Sequence, residues 1–216
     1  MGLIDEEGAG RVVLVAAERL AGWLARFEDR HGASSTTVTR SALALSAPDG
    51  ASAVVEVPFP PFLGPPEPQA VVAHALVDRT VGAVLVRRGG YAVGWFEGRR
   101  LVGSKVGTSY VQGRTKAGGW SQQRYARRRA NQADQAYAEA AEVTATLLLP
   151  HATALVAVVG GGDAAGVHAV LDDARLAPLR ELLQPRVLPT QDPRLRVLQA
   201  FGDHLREVRV RLNALA

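Results

Sequence analysis

Apolar residues recur at helical spacing near the start of the chain and then alternate with polar residues in two short runs. The helical spacing extends over about residues 11–29 and predicts an amphipathic helix that ends at His31-Gly32. The alternating runs, TTVTRSALALSA and SAVVEVPF, flank Asp49-Gly50, a dipeptide typical of a tight turn between two strands. This part of the chain therefore predicts a helix and a β-hairpin, and the proline-rich PFPPFLGPPEP that follows predicts a linker.

Three further apolar runs begin at Val81 and are separated by Gly89-Gly90 and Glu97-Gly98. Tight glycine turns between β-rich runs predict an antiparallel meander of three strands. A glycine-rich segment follows, and a long helix is predicted over about residues 121–149, where Pro150 ends it. At 1.5 Å per residue this helix would be about 40 Å long.

Strand and helix signals alternate in the rest of the chain. ATALVAVVGGGD predicts a buried strand, Asp163 is placed to cap a helix to about Leu183, and Asp192-Pro193 predicts the start of another helix. REVRVRLNAL predicts a last strand. The order predicts an α/β (α+β layered) fold: a ribonuclease H-like mixed sheet of about five strands flanked by helices, with an N-terminal helix and β-hairpin extension. We expect residues 1–68 to form the extension and linker and residues 69–216 to form the main domain.

Composition and the apolar pattern indicate in which cellular compartment the protein is expected to act. The chain has no cysteine, which excludes disulfides, thiolate zinc sites and a cysteine nucleophile, and which fits a reducing cytosol. The first residues, MGLIDEEGAG, are acidic where a secretory signal would be basic, and no apolar run is long enough to span a bilayer. The expectation is a cytoplasmic protein that does not act at a membrane.

The sequence lacks the residue patterns that several kinds of catalytic centre require. A two-metal nuclease would need clustered carboxylates on neighbouring strands, and the predicted strands carry almost none. The five histidines form no metal-ligand spacing. The stretch VVGGGDAAG resembles a phosphate-binding turn, but it lacks the Lys-Ser/Thr of a P-loop and is better interpreted as a strand-to-helix turn. We expect neither a metal nor a cofactor.

The charge pattern between residues 99 and 132 is the most informative feature. This segment contains nine Lys or Arg residues and no Asp or Glu. Arg124, Arg127 and Arg128 share one helix face, where they repel each other unless an anion lies between them. A solvated helix face normally carries both signs, so binding to a polyanion is favoured, and arginine with nearby Tyr110, Trp120 and Tyr125 suits structured RNA rather than DNA. The predicted RNA contacts are Arg114, Lys116, Arg124, Arg127, Arg128 and Lys105.

These motifs together resemble a known family. The meander ending in LVGSKVGTSYV, the basic glycine-rich loop, a Gly-x-Ser-Gln element and the helix beginning QQRYARRRANQ are similar to the catalytic domain of archaeal and eukaryotic class I release factors. They are most similar to the release-factor-like peptidyl-tRNA hydrolases of ribosome quality control, the VLRF type. The likeness extends from about Val81 to the end of the chain.

The resemblance implies a metal-independent hydrolase. Such an enzyme releases nascent chains from stalled ribosomes or large subunits by cleaving the peptidyl-tRNA ester in the peptidyl transferase centre. Its partners would be the large subunit, ribosomal RNA and peptidyl-tRNA.

The resemblance also implies which residues form the site. Release factors carry a Gly-Gly-Gln tip, and the quality-control relatives carry Gly-Ser-Gln or a similar version. Gly119, Ser121 and Gln122 match it, which makes Gln122 the expected catalytic residue, with Gln123 as the alternative in a register shifted by one. Trp120 stands where a small residue is expected. The expected loop residues are Gly118, Gly119, Trp120 and Ser121.

A glutamine amide does not titrate near neutral pH, so its expected contribution is to position water at the ester. A second hypothesis is a non-catalytic ribosome- or RNA-binding factor that has the same fold without the chemistry. The bulky Trp120 in the tip is its best argument.

Overall fold

The computed structural model describes residues 10–87, 90–108 and 121–216, and for residues 121–134 it describes the backbone alone. The strands are β1 (Val12–Ala16), β2 (Ser35–Val38), β3 (Ala42–Ser46), β4 (Ser52–Glu56), β5 (Thr80–Arg87), β6 (Gly90–Glu97), β7 (Arg100–Thr108), β8 (Ala157–Gly162) and β9 (Glu207–Leu212). The α-helices are α1 (Leu20–His31), α2 (Pro68–Leu76), α3 (Ser121–Leu148), α4 (Ala164–Leu171), α5 (Ala177–Arg180) and α6 (Leu195–His204). Short 3-10 helices are Ala17–Arg19, Leu149–His151 and Ala174–Leu176.

The chain divides into two compact units. The first unit comprises the chain up to Val77 together with Asp203–Ala216, and the second comprises Asp78–Gly202. The sequence analysis placed a boundary after residue 68. In the structure α2 and the last strand both belong to the first unit, because β9 pairs with two strands there.

The first unit contains a five-stranded antiparallel sheet in the order β1-β9-β4-β3-β2. Alternate residues of β9, among them Val208 and Val210, are buried on one face. The buried side chains of α1, Leu20 and Phe27, and Val71 of α2 belong to the same apolar core. Period-two alternation in the strands and a narrow apolar stripe on each helix thus build one core.

Two local predictions for this unit were wrong in detail. Residues Val12–Ala16 form a strand rather than the first turns of a helix, because the run VVLVA pairs in full register with β9. The run TTVTRSALALSA contains two strands, not one. The side chain of Thr39 accepts hydrogen bonds from the backbone N–H groups of Ser41 and Ala42, at 3.3 and 3.0 Å, and so closes a turn between β2 and β3.

The turn between β3 and β4 offers a matched pair of glycine substitutions. Gly50 has a φ of +89°, whereas Gly22 is an exposed residue of helix α1. Gly50→Ala is expected to lower the free energy of unfolding by about 1–2 kcal/mol, because a Cβ is strained at positive φ. Gly22→Ala is expected to raise it by about 0.5–1 kcal/mol, because alanine has the higher helix propensity. Urea denaturation measures both, and equal signs for the two variants would contradict the assigned backbone conformations.

The second unit is built on a mixed sheet in the order β7-β6-β5-β8. The pairs β7·β6 and β6·β5 are antiparallel, which confirms the predicted meander, and β8 is parallel to β5. Residues 183–188 add an irregular fifth segment, through parallel bridges from Leu183 to Val158 and from Leu188 to Gly161. The predicted α+β layered fold, with a mixed sheet of about five strands, is therefore confirmed.

Both faces of this sheet are covered. Residues of α3 and α4, among them Ala140 and Val167, share a buried cluster with Val84 and Val93 of the strands. On the opposite face, atoms of Phe201 in α6 lie 3.2 and 3.3 Å from where a side chain at Gly161 would begin. A sheet buried on both faces explains the continuous apolar runs of β5 and β8.

The helices after β8 were only partly predicted. Asp163 caps α4 as expected, since its side chain accepts a hydrogen bond from the N–H of Ala165 at 3.1 Å. This helix ends at Leu171 instead of continuing to about Leu183, and α6 begins at Leu195 rather than at Pro193. Asp192, expected to cap α6, lies 3.7 Å from the Arg87 guanidinium instead.

Candidate functional site

The predicted site lies between β7 and the packed half of α3, and the structure describes it in part. Helix α3 begins at Ser121 and ends at Leu148, which confirms the helix predicted over residues 121–149. The helical backbone therefore includes Ser121, Gln122, Gln123, Arg124, Arg127 and Arg128. The other predicted residues of this segment, Arg114, Lys116, Gly118, Gly119 and Trp120, lie outside the described residues.

The register of the sheet shows where this segment starts. Thr108, the last residue of β7, pairs with Gly90, and Gly90 pairs with Arg87 at the end of β5. On the other side of β5, Val86 pairs with Gly162 at the end of β8. Residues 109–120 therefore start from the end of the sheet where the parallel strands β5 and β8 also end, which we call the carboxyl end.

The second half of α3 holds the helix on the sheet. Its buried residues are Ala140, Ala141, Thr144 and Leu148, all within the last nine positions of the helix. Two adjacent alanines allow the helix to approach the strands closely. The Thr144 hydroxyl donates to the carbonyl of Ala140 at 2.7 Å, so this buried polar group is satisfied.

A tyrosine anchors the same part of α3 to the carboxyl end of the sheet. The Tyr91 hydroxyl, on β6, donates a hydrogen bond to Glu139 Oε1 at 3.0 Å. Its ring lies over Gly107 of β7, where a Cβ would be only 2.3 Å from the ring. Tyr137 lies beside Gly166 in the first turn of α4, with a ring carbon 3.2 Å from where a Cβ would be. Two glycines thus make room for the rings that support the base of the long helix.

The Tyr91 phenol is held in its neutral form. Burial, and then the hydrogen bond and negative charge of Glu139, raise the pKa of Tyr91 to about 12. A raised pKa in the folded state gives stability that is complete below the ordinary tyrosine pKa of about 10 and is lost as the pH rises towards 12. We expect wild type to lose stability relative to Tyr91→Phe between pH 9 and pH 11 in urea denaturation. A difference between the two proteins that is the same at both pH values would contradict the assigned environment of Tyr91.

An arginine links the second half of α3 to the segment after α4. Arg175 Nη1 lies 2.6 Å from Glu142 Oε2, and Arg175 Nη2 lies 2.8 Å from Asp173 Oδ2. Hydrogen bonds from Arg175 lower the pKa of Asp173 to about 2. The pairs are exposed and contribute little stability. They connect α3 to the short helix that contains Arg175.

Lys105 is the one predicted RNA-binding residue whose side chain is described. It pairs in register with Val93, and Val93 belongs to the cluster under α3, so Lys105 lies on the face of the sheet that carries α3. Its side chain is exposed and has no acidic partner among the residues that the structure describes. A single cation at the edge strand is therefore available to an anion from solvent.

The glycine-rich motif after β8, which resembles a phosphate-binding turn, has a structural role. VVGGGDAAG is the turn from β8 into α4, which confirms its interpretation as a strand-to-helix turn. Within residues 10–87, 90–108 and 121–216, no three His, Asp or Glu side chains are grouped so that they would hold a metal ion. In the same ranges no helix combines the length and apolarity that crossing a bilayer requires.

A model of one protein family matches the part of the chain that contains the candidate site. The family model described as Actinobacteria/chloroflexi VLRF1 release factor matches residues 79–211, well over half of the chain. The chain belongs to this family. The match begins just before β5 and includes the meander, the basic segment and α3, and the resemblance to VLRF-type release factors is confirmed. The chain is thus a member of a release factor family.

Two solved structures also align with part of the chain. An archaeal translation termination factor, aRF1, is 18% identical with a TM-score of 0.46, and the alignment covers 75% of this chain and 51% of that chain. A second structure, described only as an archaeal protein, is 15% identical with a TM-score of 0.37 and coverages of 75% and 52%. This VLRF1 family member thus spans about half the length of both structures. A search of curated proteins found no match.

Proposed function

We propose that the protein is a cytoplasmic peptidyl-tRNA hydrolase that releases nascent chains from stalled ribosomes or large subunits. The observation that carries the proposal is the VLRF1 release factor match, because residues 79–211 include both candidate glutamines and the described elements on either side of them. The proposed partners are the large subunit with its peptidyl transferase centre, ribosomal RNA and peptidyl-tRNA.

The proposed reaction is hydrolysis of one ester bond. A water oxygen attacks the ester carbonyl carbon, the bond to the terminal ribose oxygen breaks, and one proton of the water passes to that oxygen while the other is released to solvent. The products are a free peptide carboxylate and a tRNA with its ribose hydroxyl restored. The Gln122 amide would hold the water in line with the carbonyl, and a positioned donor at the developing oxyanion adds several kcal/mol. RNA groups around the ester would carry the proton, so the protein needs neither a metal nor a cofactor.

The length and the packing of helix α3 support the proposed hydrolase function. Gln122 precedes Glu139 by 17 residues of continuous helix, which corresponds to about 25 Å along the axis. The packed half of α3 is fixed at three places: the Tyr91 hydrogen bond, the buried alanine face and the Arg175 network. A helix of this length held firmly at one end can carry a catalytic group to an ester that a compact domain cannot reach.

The basic residues would bind the RNA through which the tip must pass. Arg124, Arg127 and Arg128 have the spacing of one face of the α3 helix, and Lys105 lies exposed on β7. Guanidinium groups make bidentate contacts with phosphates. We propose Arg114 and Lys116 for the same role, and we propose that Gly118, Gly119, Trp120 and Ser121 shape the tip, with Gln123 as the alternative to Gln122.

A non-catalytic ribosome-binding factor is the second candidate, and Trp120 favours it because a bulky side chain occupies a tip position where the family resemblance implies a small one. The test is to add purified protein to ribosomes that carry labelled peptidyl-tRNA. A hydrolase produces free peptide and uncharged tRNA faster than the ribosomes do alone. A binding factor associates with the ribosomes and leaves the ester intact.

A further inference from the structure

A cleft of about 450 Å³ opens at the carboxyl end of the sheet, lined by Arg87, Gly162, Asp163, Pro189, Thr190 and Asp192. Its base is held by Arg87, whose Nη1 donates to the carbonyl of Thr190 at 2.6 Å and whose Nε lies 3.7 Å from Asp192. The segment 189–192 is thereby fixed to the end of the sheet from which the basic segment also starts.

Helix α6 begins beside this cleft. Leu195 is its first residue, three positions after Asp192, and two exposed arginines, Arg194 and Arg196, stand on either side of it. The other end of α6 lies far from the cleft, since a Cβ at Gly202 would be 2.5 Å from the carbonyl of Arg99, just beyond β6. The two arginines therefore belong to the carboxyl end of the sheet.

Only some arginines of the second unit have an acidic partner among the residues that the structure describes. Several of its arginines have acidic partners: Arg100 pairs with Glu97, Arg175 with Asp173 and Glu142, and Arg180 with Asp172. Neither Arg194 nor Arg196 has an acidic partner within the described ranges. Of the two acids nearby, Asp192 pairs with Arg87, and Asp163 keeps its negative charge as the cap of α4. The three arginines therefore exceed the two carboxylates by one positive charge beside the cleft.

We propose that Arg194 and Arg196 form a second RNA-backbone contact, which we call the α6 patch. The inference rests on the proposed function and adds a contact on a different helix from the basic segment. Both arginines flank the first residue of a helix, where the positive end of the helix dipole adds to their charge. A phosphodiester backbone suits exposed guanidinium groups, and binding releases the counterions that those phosphates had condensed. The α6 patch lies at the same end of the sheet as Thr108, the last residue of β7.

The test measures salt dependence rather than affinity alone. Binding to vacant large ribosomal subunits and to protein-free ribosomal RNA is titrated over a range of salt concentrations for Arg194→Gln/Arg196→Gln. The slope of log K against log salt is expected to become shallower by roughly 1.4–1.8, since each phosphate contact contributes about 0.7–0.9. The charge-keeping variant Arg194→Lys/Arg196→Lys is expected to retain most of the slope.

The matched control removes the same charge elsewhere. Arg26 and Arg30 are exposed on α1 in the first unit, and Arg26→Gln/Arg30→Gln is expected to leave the slope unchanged. Equal slopes for wild type and the α6 variant would overturn the α6 patch. So would a loss seen on subunits but absent on protein-free RNA, since that result identifies a ribosomal protein as the partner.

The two proposals fail in different ways. Normal peptide release by wild type together with an unchanged slope for the α6 variant contradicts the α6 patch and supports the hydrolase. A slope reduced as expected, in a protein that releases no peptide, supports the α6 patch and contradicts the hydrolase.

Discussion

Gln122→Ala is expected to slow peptide release from stalled ribosomes by at least about a hundredfold, the range found when one positioned group at a developing charge is removed. The amide is proposed to hold a water molecule at the ester, and alanine offers no group that can do so. Alanine also favours the helical conformation that the backbone has at this position, so the helix is kept. The measurement is the single-turnover rate of peptide release at saturating protein, with ribosome binding measured in parallel.

Two comparisons make this result interpretable. Gln123→Ala changes the neighbouring glutamine in the same turn of α3, and in the proposed register it is expected to leave the release rate within about threefold of wild type. Arg127→Ala/Arg128→Ala is expected to weaken binding, with a shallower salt dependence, while release at saturation is retained. A large loss in the Gln123 variant with none in the Gln122 variant would shift the register by one residue.

Gly107→Val is expected to have the second-largest effect, at a distance from the proposed chemistry. A Cβ at Gly107 would lie 2.3 Å from the Tyr91 ring, so the ring has to move and its hydrogen bond to Glu139 breaks. Overpacking of this kind costs about 1–3 kcal/mol in the free energy of unfolding. A tilt of α3 by 10° at Glu139 would move Gln122 by about 4 Å over 25 Å of helix, so release should fall at least about tenfold.

The control for this prediction lies on the same strand. Ser104 is exposed on β7 and pairs with Gly94, and Ser104→Val is expected to change stability by no more than about 0.5 kcal/mol. Replacing the ring as well, in Gly107→Val/Tyr91→Ala, is expected to cost less than the sum of the two single changes. Additive costs would show that the collision with Tyr91 is not the cause.

Much of the second unit could be predicted because its signals are local. The meander follows from apolar runs separated by glycine turns, α3 from a long helical pattern ended by Pro150, and the cap of α4 from a single aspartate after a strand. The pairing of β8 with β5 was not accessible in the same way, since it joins residues more than 70 positions apart. Residues 183–188 escaped prediction because Pro185 interrupts the run and leaves only isolated bridges.

The first unit shows the limit of periodicity more clearly. VVLVA fits the start of an amphipathic helix as well as it fits a strand, and the choice is made by β9, nearly 200 residues later. The same distant strand separates β1 from β4. Long-range pairing of this kind leaves no trace in a local window of sequence.

Local sequence signals pointed to only part of the candidate site. The candidate glutamines, the arginine face and Lys105 could be proposed from the sequence because they lie in one contiguous basic segment with a family resemblance. The contacts that hold α3 on the sheet were not predicted. Tyr91 and Glu139 are 48 positions apart, and an aromatic residue paired in register with a glycine was the signal that would have found the ring over Gly107. Arg194 and Arg196, proposed as a further contact, gave no signal in the sequence because they are only two charges in an otherwise mixed segment.

The central claim is that an uncharged amide in the first turn of α3 drives hydrolysis of peptidyl-tRNA. The most direct test is the single-turnover release rate of Gln122→Ala/Gln123→Ala at saturating protein, on ribosomes to which the variant binds like wild type. The account predicts that release falls to the rate of ribosomes alone. Release at the wild-type rate by this double variant would contradict the account.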